Sequence, residues 1–448
     1  MTRSSHRSWG RVSSPAQNIR FLDWIPDSLE FHAGEKSLLP YGLGRSYGDS
    51  CLNDGGTLLD ASRLCRFLSF DAEKGTLRCE AGVTLADILE VIVPKGWFLP
   101  VTPGTRYVTV GGAIANDIHG KNHHRAGTFG MHTVRFELLR STGERFVCSP
   151  TENPEWYGAT IGGLGLTGLI TWAEIRLRPI RTAGIDVETI RFDGLSEFFS
   201  LSAESDRNFE YTVAWVDCFS KGGSLGRGLF MRGNHAGPEQ DVAPPLIRYP
   251  RWSGPIAIPF NAPEFLLCPP LMKAFNNLYY MKQRRKRSRK IVPFGLFFYP
   301  LDVLGQWNRL YGKRGFFQYQ CVLPSGGDGG AVRAILETVA ASPPGVYLSV
   351  LKDFGDARSP GMFSFPRRGP TLALDLPNRG KDSLVLMERL DAIVREARGA
   401  VYPAKDARMS AESFDTYYPR WHDFTRYVDP NFSSSFWRRV TGDRRGGL

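Results

Sequence analysis

Two glycine-crowded segments, separated by about sixty residues, constrain this chain more than any other feature. The first reads Pro40-Tyr41-Gly42-Leu43-Gly44-Arg45-Ser46-Tyr47-Gly48-Asp49-Ser50. The second runs from Pro103-Gly104 through Thr109-Val110-Gly111-Gly112 to Asn116-Asp117-Ile118-His119-Gly120-Lys121, with His123-His124 just beyond. Small residues at this density let backbone approach a ligand closely. Consecutive amides in the first loop make an anion-binding nest, and a helix start at Gly111-Gly112 offers further N–H groups to phosphate. Together with the His-Lys pair that follows, they point to a flat, phosphorylated cofactor. A third cluster, Gly163 to Gly168, matches G-x-G-x-x-G, but the β-like run LITWAEIRL follows it. A Rossmann fingerprint needs a helix there, so the match carries no weight.

The surrounding chain is α+β. TLRCEAGV reads as a strand, and Thr84 with Asp87 makes a capping box for the helix TLADILEVIV, which stops at Pro94 with Gly96 beyond. VRFELLRSTGERFVC reads as a hairpin turning at Thr142-Gly143. After about residue 182 the β-like runs become longer and more aromatic (YTVAWVDCF, FFQYQCVLP, YLSVLKDFG, TLALDLP). The last fifty residues return to helix-like, aromatic and basic sequence. The expected organisation is a cofactor domain over 1–182, a substrate domain over 183–397, and a return to the first domain over 398–448.

Composition narrows the class further. The seven cysteines are scattered with no C-x-x-C pair, and no Cys/His cluster has metal-ligand spacing, so reduced thiols and no metal are expected. No signal-like apolar segment opens the chain, and no uninterrupted apolar run is long enough to span a bilayer. A cytoplasmic protein, or one peripheral to the inner membrane, is expected. The net charge of +11 favours anionic partners. Seven cations fall between Lys282 and Lys290, just after the apolar, aromatic stretch FLLCPPLMKAFNNLYYM. That pairing suits an anionic membrane surface or a solvated mobile loop, and no nucleic-acid-binding motif accompanies it.

The first loop, the PGT…TVGGAIANDIHGKNHH segment and the GGLGLTG turn resemble the flavin domain of the vanillyl-alcohol-oxidase-like, PCMH-type FAD oxidoreductases. IHGKNHH, FFQYQCVLP, LKDFG and YPAKDAR resemble, more closely, the branch that oxidises the 2′-hydroxyl of a polyprenyl-phosphoryl ribose. The resemblance implies a PCMH-type FAD domain with an inserted antiparallel-sheet substrate domain, and a lipid-linked phosphoryl sugar as substrate. It also implies a separate NAD(P)H-dependent reductase that completes an epimerisation to the arabinose donor for cell-envelope glycans. Flavin contacts carry over to Pro40–Ser50, Gly104, Thr109–Gly112, Asn116–His119, Ile170 and Tyr402. Rival readings are a flavin oxidase of a soluble sugar, alditol or aldonolactone, and a basic protein without enzymatic activity.

Lys405, in YPAKDAR, matches the family's active-site lysine, either as a base or as a charged group polarising the hydroxyl. A plain salt bridge to Asp406 is the alternative. His119 is the second candidate for handling protons. Gln318 and Gln320 share one face of a strand and fit a sugar-binding wall or a solvent face. Lys352 interrupts an apolar strand and needs an anion or a carboxylate. Lys121 and Tyr47 complete the expected substrate contacts. Many sugar oxidases of the wider family bond flavin to a loop His, but this loop reads Gly44-Arg45-Ser46-Tyr47. FAD is therefore expected to be non-covalent: acid precipitation should release all the yellow colour, and flavin left on the pellet would refute the expectation.

Overall fold

The computed structural model describes residues 6–32, 34–237, 256–325, 329–343 and 345–442. Its fold is α+β, as expected. Three short strands, β1 (Asn18–Phe21), β2 (Leu38–Tyr41) and β3 (Thr57–Asp60), form a parallel sheet in the order β1-β3-β2. Beside it, β4 (Phe67–Asp71), β5 (Thr76–Glu80), β6 (Thr133–Leu139), β7 (Arg145–Cys148) and β8 (Leu169–Arg176) make an antiparallel sheet, ordered β4-β5-β8-β6-β7. Helix α1 (Leu85–Ile92) starts at the predicted capping box, where Thr84 Oγ1 accepts from Asp87 N and Asp87 Oδ2 accepts from Thr84 N. Gly96, at φ +79°, supplies the left-handed residue that ends this turn. Helix α2 (Val110–Ala115) is short and capped by Thr109.

Eight strands form the large antiparallel sheet: β9 (Gly184–Phe192), β10 (Tyr211–Val216), β11 (Gly228–His235), β12 (Arg287–Pro293), β13 (Phe316–Val322), β14 (Ser349–Phe354), β15 (Gly369–Pro377) and β16 (Ala400–Val401). Their order is β12-β9-β11-β10-β14-β15-β13-β16. The sheet thus runs from Gly184 to Val401, so its last strand falls beyond the expected return at 398. Helices α3 (Leu195–Ser205), α6 (Gly330–Ala340) and α7 (Lys381–Glu396) pack on one face, and α4 (Pro269–Lys282) and α5 (Phe294–Phe298) lie on the other side. Because strand side chains alternate, Phe317, Tyr319, Cys321, Leu372 and Leu374 enter the core with Phe198, Ile335 and Leu390. Gln318, Gln320, Lys352 and Thr371 face the opposite way.

One sequence expectation changes here. The cationic run is not a mobile loop: Arg287 to Lys290 lie in β12, paired to β9, with Arg289 bound to Asp186 at 2.5 Å. Lys286 holds Glu197 at 2.7 Å. Of the cysteines, Cys65 is exposed, and none of the seven forms a disulfide. No helix among the described residues is long and apolar enough to cross a membrane.

The C-terminal helix α8 (Ser435–Thr441) closes the structure over the first glycine loop. Arg439 reaches Asp49 at 2.7 Å and Asp406 at 2.9 Å. Removing it leaves two largely buried carboxylates facing one another, at a cost on the order of 3 kcal/mol. Arg439→Ala should lower the urea midpoint accordingly and Arg439→Lys should recover part of the loss. An unchanged midpoint would show that the tie is not structural.

Candidate active site

Between the glycine loops and the bare face of the large sheet lies a cavity of about 1040 Å³. The loop after β2 lines one end. Tyr41 closes β2, its OH donating to Arg7 O, and Gly42 to Ser46 then turn across the cavity wall. Among the described residues, no acceptor lies within hydrogen-bond reach of the N–H groups of Leu43, Gly44, Arg45 and Ser46. Arg45 Nε and Ser50 Oγ are also buried without a partner. Gly104 borders the same space, with nothing within 4 Å of where a Cβ would stand. A row of free amides, two orphaned polar atoms and an open glycine wall fit the pyrophosphate and flat ring of FAD.

Most of the expected cofactor contacts line this cavity: Pro40 to Tyr47, Ser50, Gly104, Thr109, Gly111, Gly112, Asn116, Ile118, His119, Ile170 and Tyr402. Four do not, each for a stated reason. Gly48 is pressed against the backbone, where a Cβ would sit 1.7 Å from Asp406 O. Asp49 is taken by Arg439. Val110 is wholly buried in the core, its N–H donating to Val83 O. The buried Asp117 carboxylate accepts from Ser359, Ser364 and Gly130 N, so it braces a turn. The start of α2 is also spent: Gly111 N donates to Ala81 O and Gly112 N to Thr109 Oγ1. The free amides belong to the first loop, and α2 contributes closeness of approach.

Past the cofactor wall, all the expected substrate residues converge. His119, Lys121, Lys352, Lys405, Gln318 and Gln320 line one end of the cavity, with Tyr47 beside them. His119 Nδ1 lies 3.2 Å from Lys352 Nζ, and its Nε2 lies 3.0 Å from the Gln320 side-chain amide. Burial and the neighbouring Lys352 hold the imidazole well below its ordinary range, so it is neutral. Lys121 donates to Phe298 O at 3.1 Å and Lys352 to Gly120 O at 3.3 Å. Lys405 is not bridged to Asp406, which holds Arg439 and the N–H groups of Arg408 and Met409. Its ammonium lies 3.9 Å from the centre of the Tyr47 ring.

Among the described residues, no carboxylate comes within 4.0 Å of Lys121, Lys352 or Lys405. Burial pushes Lys121 down to about 8, and burial with Lys121 and Lys405 nearby pushes Lys352 down to about 7. Lys405 is likewise pushed down to about 7 by burial, with Asp375 opposing the shift. The Asp375 carboxyl is buried, raised to about 6, and held by Gln318 at 2.5 Å and Tyr311 at 3.3 Å.

The opposite end is apolar. Val187, Leu229, Met231, Val213 and Trp215 floor it, and Tyr279 of α4 roofs it. The Trp215 and Tyr279 rings meet edge to face at 4.8 Å. This half was missed in the sequence, because nothing local says which faces of β9, β10 and β11 will adjoin. Asp375 was also missed, although a lone acid within TLALDLP was the available signal.

An FAD binding domain model matches residues 30–149. Fold, glycine cradle and match together define an FAD-dependent oxidoreductase. The chain is 36% identical over 424 residues to decaprenylphosphoryl-β-D-ribose oxidase of Mycolicibacterium smegmatis, across 91% of this chain and 90% of that one. It belongs to the family of PCMH-type FAD-binding oxidoreductases that includes that enzyme. An uncharacterised Streptomyces coelicolor protein is 34% identical over 80% of this chain and all of its own length. Human Δ(24)-sterol reductase is 31% identical over 118 residues, 26% of this chain and 23% of its own.

The partly buried cavity lysines make stability depend on pH. Unfolded, they titrate near 10.5; folded, Lys352 and Lys405 titrate near 7, so above pH 7 the unfolded chain binds more protons. The urea midpoint should rise between pH 7 and 8.5. Lys352→Met should flatten that rise and stabilise the protein at pH 7, where an equal slope in both proteins would contradict the assignment.

Proposed function

We propose that the enzyme oxidises the 2′-hydroxyl of a polyprenyl-phosphoryl ribose to the 2′-keto sugar, as the first half of an epimerisation. The observation that carries this reading is the polarity of one cavity. Three partly buried lysines without carboxylate partners among the described residues sit at one end, two glutamines beside them, and an aliphatic and aromatic sleeve at the other. An amphiphile with an anionic head matches that gradient, because each partly desolvated ammonium is costly until an anion meets it. The similarity to an oxidase of decaprenylphosphoryl-β-D-ribose supports the same substrate class.

When bound, FAD supplies the hydride acceptor. The chain's own residues do the remaining work. Lys121 and Lys352 neutralise the phosphate, and Gln318 and Gln320 hold ribose hydroxyls. Lys405, unprotonated in a growing fraction of molecules above pH 7, takes the hydroxyl proton at Nζ. Asp375 steadies the lysine once it is charged. His119, neutral and fixed between Lys352 and Gln320, orients those two side chains. The flavin is held without a covalent bond to the first loop, where Arg45 stands. The keto product passes to an NAD(P)H-dependent reductase that returns the opposite epimer.

Anaerobic mixing tests the reading. A prenyl-phosphoryl ribose should bleach the flavin, while free sugars, alditols and aldonolactones should not; the reverse pattern would favour a soluble-sugar oxidase. The bleaching rate should rise with pH through about 7. Lys405→Ala should stay folded and yellow yet bleach about 100- to 10,000-fold more slowly. Lys405→Arg should rescue little, because a guanidinium keeps its proton. Bleaching by Lys405→Ala near the parent's rate would make the lysine structural.

A further inference from the structure

Helix α4 buries Met272 yet carries a second apolar stripe on its exposed side. Leu271, Phe275 and Leu278 follow helical spacing along its outer side and are 48%, 55% and 69% exposed, with Met281 continuing the stripe at 57%. Its inner side buries Asn276 against Asp217 and Tyr280 against Asp193, where Tyr280 OH donates at 2.6 Å. A surface helix in water keeps polar residues on its exposed side. Phe260 and Phe265, just before it, are 69% and 68% exposed. Two exposed aromatics elsewhere are shielded: Arg63 covers Phe21 at 4.2 Å and Arg66 covers Trp24 at 3.6 Å. The α4 stripe has no such cover among the described residues.

Charge points the same way. From Phe265 to Leu301 the sequence contains no Asp or Glu. Lys273, Lys282, Arg284, Arg285 and Lys290 are exposed, with no carboxylate within 4.0 Å among the described residues. The apolar end of the cavity meets this face directly, since Phe275, Tyr279, Lys282 and Lys290 line it.

We propose that α4 lies in the interface of an anionic lipid bilayer, with Leu271, Leu278 and Met281 in the acyl region and the flanking cations on lipid headgroups. The helix is amphipathic and has 14 residues, so it lies in the interface plane. Seated this way, the cavity sleeve opens toward hydrocarbon at Phe275 and Tyr279. A prenyl tail then runs into the bilayer while its phosphate rests on Lys121 and Lys352. This role for the sleeve rests on the lipid-linked reading of the substrate.

The test is co-sedimentation of the FAD-loaded full chain with vesicles of phosphatidylcholine, with and without phosphatidylglycerol. The parent should bind the anionic vesicles and lose binding as salt rises. Replacing Leu271, Leu278 and Met281 together with Ser, or Arg284 and Arg285 together with Ser, should each weaken binding about tenfold or more. None of these five residues lines the cavity, so bleaching by a short-chain, water-soluble prenyl-phosphoryl ribose should persist. Turnover of a long-chain substrate embedded in vesicles should fall with vesicle binding. Absent vesicle binding, or binding that survives both variants, overturns the proposal. So does light scattering that shows a parent dimer broken by the serine variant, because a second copy would then cover the stripe. Vesicle binding through α4 without oxidation of any prenyl-phosphoryl sugar would instead refute the functional reading and leave this surface standing.

Discussion

The segment from Tyr402 to Asp406 is bonded on every side, and the site depends on it. Tyr402 N donates to Gln320 O, fixing the segment to β13, and Tyr402 OH donates to Asn116 O at the end of α2. Ala404 O accepts from Tyr47 N, binding the first glycine loop. Asp406 receives Arg439 from α8 while its carbonyl abuts Gly48. Lys405 projects from the middle of this knot. The short strand β16 delivers the chain there, so the residue proposed to take a proton is held by the same few peptides that hold both glycine loops. Preorganisation of this kind comes from backbone bonds, which a single side-chain change rarely undoes.

The large sheet divides its labour by face. One side is packed by three helices into a conventional core, and the other has to remain open. Keeping lysines and glutamines on that open side opposes stability, since a hydrocarbon floor would pack better. The compensation lies elsewhere: the carboxylates of Asp117 and Asp406 are each held by several donors, which brace the turns around the cavity, and Asp375 on β15 is held by Gln318 and Tyr311.

Much of the fold was legible because its signals are local. A capping box at Thr84 and Asp87 needs only four residues to declare itself, and alternation in FFQYQCVLP separates the glutamines from the core without any partner strand. Lys352 stood out for the same reason, as a charge in an apolar run. What escaped the sequence was non-local. Whether the amides of Gly111 and Gly112 are free depends on Ala81 and on the Thr109 side chain, and Ala81 comes about thirty residues earlier in the chain. The apolar sleeve is assembled from three strands that are far apart in the chain, and Pro269-Pro270 hid α4 because proline reads as a breaker, although it is well tolerated in a first helical turn. The cations from Arg287 to Lys290 read as loop because strand pairing to Asp186 and Glu188 on β9 cannot be seen from their own neighbourhood.

The three cavity lysines also make ligand binding a proton-linked event. Near neutral pH a part of their population carries no charge, and an anionic headgroup, such as the singly charged phosphodiester of the proposed substrate, favours the ammonium form of Lys121 and Lys352. Association therefore draws protons out of the solvent, and affinity weakens as the medium becomes more alkaline. The heat released on mixing then contains a contribution from whatever buffer gives up those protons, so calorimetric enthalpies measured in phosphate and in Tris differ even where the affinities agree.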